Sequence, residues 1–361
     1  MGSSRWKAGF GAAGVAAIAL VAVGCGGGGK GGGATVALLL PENQTARYET
    51  HDRPDFTKRL KQLCSNCKVL YSNATQDATK QQSQADAAMT QGAKVLVLDP
   101  VDAGSAGSIV TKAKARNIPV ISYDRLITNS DVDYYVSYDN VRVGKLQGQT
   151  LIKGLKATGK PTGPVVLVAG DPADNNAKLF KQGAVSALTA GGVKIAKAYD
   201  TPGWLPDKAQ NEMQQAITSL GNSGFAGVLA SNDDLGGAAI AAMKGAGIKP
   251  SSRPTTGQDA TVAGLQRILT GDQYMTVWKA IHPETNAAAE IAVALAKGDN
   301  VPSGLVNQQV NNGKKNVPSV ILTPVAILKN NVNKVVQGGD VKASDLCKGS
   351  FKSACTAAGI S

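Results

Sequence analysis

Short apolar runs in this sequence are repeatedly followed by residues able to hold a polar ligand. Arg47 and Tyr48 come after Leu40, Asp124 and Arg125 after Ser122, and Asp174-Asn175-Asn176 after Ala169. Asn232 follows Ala230, Asp259 follows Thr256, and Trp278 ends at Lys279. Turn and helix-cap duty alone predicts many Asp and Asn at such places. It does not predict Arg125 and Lys279 beside carboxylates, nor Arg47, Asp124, Asn232 and Asp259 at equivalent strand ends. Together these types suit a neutral polyol. A carboxylate accepts from two hydroxyls at once, Arg donates in a fork, and Asn does both.

Catalysis has little to stand on. G-x-S-x-G, G-x-x-x-x-G-K-[ST] and H-E-x-x-H are all absent. His51 and His282 are the only histidines, which disfavours metal centres and proton relays. Both read as surface polar residues, and Asp99-Pro100 reads as a loop. Asp124 and Asp259 could be imagined as a glycosidase pair. Arg125 and Lys279 beside them, however, are suited to holding both ionised, whereas an acid catalyst needs a raised pKa. No enzyme activity, metal or cofactor is expected.

The elements that must position these residues alternate regularly. Strands are expected at 35–40, 68–71, 95–98, 119–122, 134–136, 165–169, 193–199, 227–230 and 275–278. Helices are expected near 53–64, 77–91, 103–117, 139–157, 175–190, 207–221, 234–246, 259–270 and 284–297. Near-continuous Val/Leu runs fit parallel strands buried on both faces. So many strands exceed one open sheet, so two α/β domains are expected, with ligands outside the carboxyl ends of the strands.

The N-terminus sets the compartment. Arg5 and Lys7 precede an apolar, small-residue run from Ala8 to Val23, too short to span a bilayer. Ending at Gly24-Cys25, residues 1–24 resemble a bacterial lipoprotein signal that leaves Cys25 as the lipidated first residue. Glycine-rich residues 25–33 then form a tether to the outer face of the cell membrane. Removing Arg5 and Lys7 from 38 basic residues leaves 36 against 26 acidic ones. These are scattered, without stacked aromatics, so nucleic acid is not expected and anionic lipid is a minor attraction. Outside the cytosol the other four cysteines suit disulfides. Three pairings are possible, and proximity favours Cys64–Cys67 and Cys347–Cys355.

A family resemblance covers about residues 34–335. It is carried by Tyr123-Asp124-Arg125-Leu126-Ile127, Asp174 to Phe180, Gly203-Trp204-Leu205-Pro206, Ser231-Asn232-Asp233, Gly257-Gln258-Asp259-Ala260 and Thr276-Val277-Trp278-Lys279. In this order they resemble the D-xylose-binding branch of the ribose/galactose-type periplasmic binding proteins of ABC importers. The resemblance implies two Rossmann-like lobes, joined by three crossing strands, that close on one sugar. Crossings near Tyr138, Lys279 and Thr323-Pro324 would give lobes of 34–137 plus 281–322, and 138–280 plus 323–346, before a disulfide-linked tail at 347–361. It assigns sugar contacts to Arg47, Tyr48, Asp124, Arg125, Asn176, Trp204, Asn232, Asp259 and Lys279, with Asp174 and Asn175 left as turn residues. It departs from that pattern at Tyr48, where the branch has Trp, and at Asp233-Asp234-Leu235, where smaller residues are expected. Delivery of a monosaccharide by a monomer to an ABC permease with its ATPase is the implied function. A sugar sensor for a membrane kinase is the alternative.

Overall fold

The computed structural model describes residues 1–4 and 33–360, so residues 5–24 of the expected signal segment and Cys25 lie outside the described residues. The first lobe begins with β1 (Thr35–Leu40), α1 (Arg53–Leu63), β2 (Lys68–Asn73) and α2 (Ala78–Thr90). It continues with β3 (Val95–Leu98), α3 (Gly107–Lys114), β4 (Val120–Tyr123) and β5 (Tyr134–Tyr138). The second lobe takes α4 (Asn140–Ala157), β6 (Val165–Ala169), α5 (Asn175–Ala190), β7 (Ile195–Asp200) and α6 (Pro206–Leu220). There follow β8 (Gly227–Ala230), α7 (Asp233–Gly245), α8 (Val262–Thr270) and β9 (Thr276–Trp278). After α9 (Ile281–Lys297) come β10 (Gln308–Asn311), β11 (Asn316–Leu322) and β12 (Val325–Ile327). The short helices α10 (Asn333–Gln337), α11 (Ala343–Leu346) and α12 (Lys352–Ala357) end the chain.

The first sheet has the order β10-β11-β5-β4-β3-β1-β2, parallel except for β10. Central strands such as β3 (Val-Leu-Val-Leu) are buried throughout, with helices on both faces, as their apolar runs require. The second sheet runs β7-β6-β8 and continues through Thr255, which bridges Val228, to β9 and antiparallel β12. The chain thus leaves the first sheet after β5, returns with α9, and leaves again between β11 and β12. Strands β10–β12 were not legible as runs. The first is polar Gln-Gln-Val-Asn at an edge, and β11 carries Pro318 just ahead of the stretch that pairs with β5.

Local chemistry sets where the helices begin. Side chains of Asp77, Asp139, Asp174, Asn232 and Thr261 cap α2, α4, α5, α7 and α8 by accepting from backbone N–H groups. Helices α4 and α5 cross at backbone contact. A Cβ on Gly144 would stand 1.9 Å from the Phe180 carbonyl oxygen, and one on Gly183 2.0 Å from that of Val141. This close crossing fixes the α5 N-terminus, which carries Asp174 and Asn176. In the tail, Leu346, Cys355 and Ile360 pack on Leu265 and Ile268 of α8. Disulfides join Cys64 to Cys67 and Cys347 to Cys355. No helix among the described residues is long and apolar enough to cross a membrane.

Candidate functional site

A cavity of about 300 Å³, partly open to solvent, lies between the strand ends of the two lobes. All nine residues singled out in the sequence line it, together with Thr45, Asp174, Phe180 and Gln258. The first lobe supplies Arg47 and Tyr48 from the turn after β1, and Asp124 and Arg125 from the turn after β4. The second supplies Asn176 at the start of α5, Trp204 after β7, Asn232 at the cap of α7, and Asp259 beside β9. Lys279 follows β9 directly, where the chain returns to the first lobe.

Three site residues hold left-handed backbone without being glycine: Asp124 (φ 51°), Trp204 (φ 56°) and Asp259 (φ 91°). Such conformations cost energy and persist only where their surroundings determine them. At Asp124 the carbonyl accepts from Ser137 Oγ at 2.6 Å, Asn176 Nδ2 at 3.0 Å and Tyr135 O–H at 3.2 Å. Asn176, whose Oδ1 also accepts from Asn140, therefore spans the lobes with both polar atoms engaged. Other contacts across the cleft are Gln76 Nε2 to Asp171 Oδ2 at 2.7 Å and Ala103 N–H to the Ala173 carbonyl.

The charges pair differently from the expectation. Asp124 is held by Lys279 at 3.0 Å and Arg47 at 3.3 Å, not chiefly by its neighbour Arg125. These cations outweigh burial and keep its carboxyl well below the usual range. Arg47 also grips Asp52 (2.7 Å) and Glu284 (2.8 Å). Arg125 turns instead to Asp174 (3.1 Å), Asp99 (3.6 Å) and the Tyr48 oxygen (3.2 Å). Asp99 and Pro100 are therefore more than a loop: Asp99 is fully buried beneath Arg125, and the Pro100 carbonyl accepts from it. Asp174 likewise does more than cap α5, since its other oxygen faces Arg125 and accepts from Trp204 Nε1.

Asp259 corrects a second expectation. Crowding by the cleft walls, only partly offset by Lys279, pushes its carboxyl up to about 7. A raised carboxyl is what a general acid requires, so the electrostatic ground for setting catalysis aside does not hold at this residue. Burial also raises Asp99 and Asp174, and lifts Glu284 to about 8. Burial is the first cause at each, and crowding adds to it, since Glu42, Asp52, Asp99, Asp124, Asp174, Asp259 and Glu284 outnumber Arg47, Arg125 and Lys279 in this cluster. With both arginines already gripped by carboxylates, the cavity suits an uncharged ligand rather than an anion.

Aromatic walls complete it. Trp204 lies against Gly170, Phe180 sits 5.6 Å from Lys279 Nζ, and the buried Tyr48 ring lies between the two arginines. Phe180, one turn after Asn176 on the same helix face, and Gln258, next to Asp259, could have been found by spacing alone. Asp52 and Glu284 gave no such signal. The histidines meet outside the cavity, with His282 Nδ1 3.0 Å and His51 Nδ1 3.7 Å from Asp55. No group of His, Cys, Asp or Glu among the described residues is arranged to hold a metal.

Known proteins place this architecture. Residues 36–300 match the family described as "Periplasmic binding protein domain". The chain is 38% identical over 300 residues to the D-xylose-binding periplasmic protein of Escherichia coli K12, covering 82% of this chain and 87% of that one. It is 32% identical to the multiple sugar-binding periplasmic receptor ChvE of Rhizobium radiobacter, covering 86% and 92%. An ABC transporter solute binding protein from Clostridium phytofermentans with bound β-D-glucose superposes with TM-score 0.78 at 29% identity, covering 86% of this chain and 99% of that one. This chain is therefore a member of the periplasmic binding protein family, of its ribose/galactose type, with the type I fold of two α/β lobes.

Proposed function

We propose that this protein is the substrate-binding lipoprotein of an ABC sugar importer, capturing one monosaccharide, D-xylose first among the candidates, and delivering it to a membrane permease. The observation that carries this reading is the cavity between the lobes, whose lining is both doubly charged and aromatic. Sugar hydroxyls would donate to Asp124 and Asp259 and accept from Arg47, Arg125, Lys279 and Asn232. Trp204, Phe180 and Tyr48 would cover the apolar C–H faces. Because ligand contacts come from both lobes, binding favours closure by its differential affinity for the closed state. The lobes that move would be 34–137 plus 281–322, and 138–280 plus 323–346. Cys25 would carry the lipid that keeps the protein beside its permease.

The test is isothermal titration with D-xylose, ribose, arabinose, glucose and galactose. One-to-one binding of xylose, tighter than the others, is expected. Binding of a different sugar alone would move the substrate, and silence for all five would overturn the reading. A pH series adds a check on Asp259. If sugar hydroxyls donate to its carboxylate, only the ionised form binds well. Affinity then rises with pH through about 7 and levels off above it. Binding at pH 6 should be roughly tenfold weaker than at pH 8. Asp259→Asn should flatten that profile; a profile unchanged by the substitution would remove Asp259 from the contact set.

A further inference from the structure

Four of the basic residues that look scattered along the chain are gathered by helix α4 into one stripe. Arg142, Lys145, Lys153 and Lys156 are exposed on this 18-residue helix, and exposed Lys160 continues the line just beyond it. Steps of three, eight and three residues, with Gln149 between, keep the four helical ones, Arg142, Lys145, Lys153 and Lys156, on one face. The helix holds no acidic residue. None of the five cationic groups has a hydrogen-bond or ion-pair partner among the described residues. Elsewhere many surface lysines are paired, as Lys112 is with Asp86, Lys181 with Asp200, Lys244 with Asp272 and Lys315 with Asp131. The opposite face of α4 is buried by the glycine crossing on α5, so the helix cannot turn its charges inward.

We infer that the outer face of α4 is a docking surface for the anionic phospholipid surface of the cell membrane. From Arg142 to Lys156 the stripe spans about 21 Å at 1.5 Å per residue and contains neither an aromatic nor an acidic residue; the N-cap Asp139 accepts from the Arg142 backbone N–H. A protein epitope is ordinarily built around aromatic and apolar anchors. A line of flexible ammonium groups instead matches a diffuse sheet of negative charge. The inference rests on the exported, membrane-tethered reading above, in which residues 26–33 leave the folded protein close to the bilayer. The protein as a whole supports it, because the seven carboxylates of the cleft cluster are turned inward. Only Arg47, Arg125 and Lys279 go in with them, so the outer surface is more basic than the balance of 36 basic against 26 acidic residues beyond residue 24 suggests.

Vesicle sedimentation tests this with protein carrying Cys25→Ser, so that no attached lipid contributes. Binding is expected to vesicles containing about one-third phosphatidylglycerol at 0.1 M salt, falling away near 0.5 M salt as the charges are screened. Lys145→Gln/Lys153→Gln/Lys156→Gln should weaken it at least tenfold. Titration with xylose and the thermal midpoint should be unchanged by that triple substitution, which separates this inference from the sugar-binding one. Lys68→Gln/Lys94→Gln/Lys314→Gln, three exposed first-lobe lysines, removes the same charge elsewhere. Equal loss in this control, indifference to phosphatidylglycerol, or undiminished binding by the α4 variant would each overturn the proposal. Loss of sugar uptake in cells by an α4 variant that binds vesicles normally would assign the stripe to an acidic protein and overturn the membrane assignment.

Discussion

Asp124→Ala is expected to abolish measurable sugar binding while leaving a folded protein. The Asp124 carboxylate is the shared counter-ion of Arg47 and Lys279, at 3.3 and 3.0 Å, and all three groups are buried. Removing it leaves the buried Lys279 without its ion-pair partner, at a cost on the order of 3–5 kcal/mol, and takes one of three carboxylate partners from Arg47. It also removes the acceptor that two sugar hydroxyls would share. Arg47 would keep Asp52 and Glu284, so the first-lobe end of the network survives. Asp124→Asn makes the informative partner variant, because Asn tolerates the left-handed backbone at this turn. It should fold nearly as stably as the native protein yet bind at least a hundredfold more weakly. Near-native titration by either variant would remove Asp124 from the sugar site, whatever its effect on stability.

Gly170→Ala is expected to be nearly as damaging, although residue 170 is not among those lining the cavity. An alanine Cβ there would stand 2.0 Å from Trp204 Cη2 and 2.2 Å from Cζ2. Neither side yields easily: Gly170 directly follows the buried strand β6, and Trp204 is fixed by its left-handed backbone and its bond to Asp174. The ring is pushed towards the cavity it lines, occupying space meant for ligand. Overpacking of this kind costs about 1–3 kcal/mol of stability, with sugar affinity expected to fall about a hundredfold or more. Gly170→Ala/Trp204→Phe should recover the thermal midpoint by shortening the ring, and part of the affinity with it. Failure of the smaller ring to recover stability would mean that the strain lies in the backbone at residue 170 instead.

These predictions depend on features of unequal legibility. The βα alternation, the strand-end position of the polar residues and the motif order were all readable along the chain. They rest on local physics: apolar runs form buried strands, and Asp, Asn and Thr cap the helices that follow. The cationic face of α4 was half-readable, since its spacing is local but the absence of acid beside it is not. The pairing of charges was not readable at all. Arg125 adjoins Asp124 in sequence, but the left-handed turn at Asp124 sends the two side chains to different partners.

The amino-acid sequence by itself determined two α/β lobes, the polar strand-end residues that come to line one cavity, and the absence of the common hydrolase and nucleotide motifs. Each follows from the order and spacing of residue types, which act over one strand or one helical turn. Only the tertiary structure decided which carboxylates share which cations, and that Asp52, Glu284 and Asp99 stand beneath the site. It alone raised Asp259 and set Asp174 facing Arg125. Burial and charge act through space over a few ångströms, between residues up to 237 positions apart in the chain, so no local pattern records them.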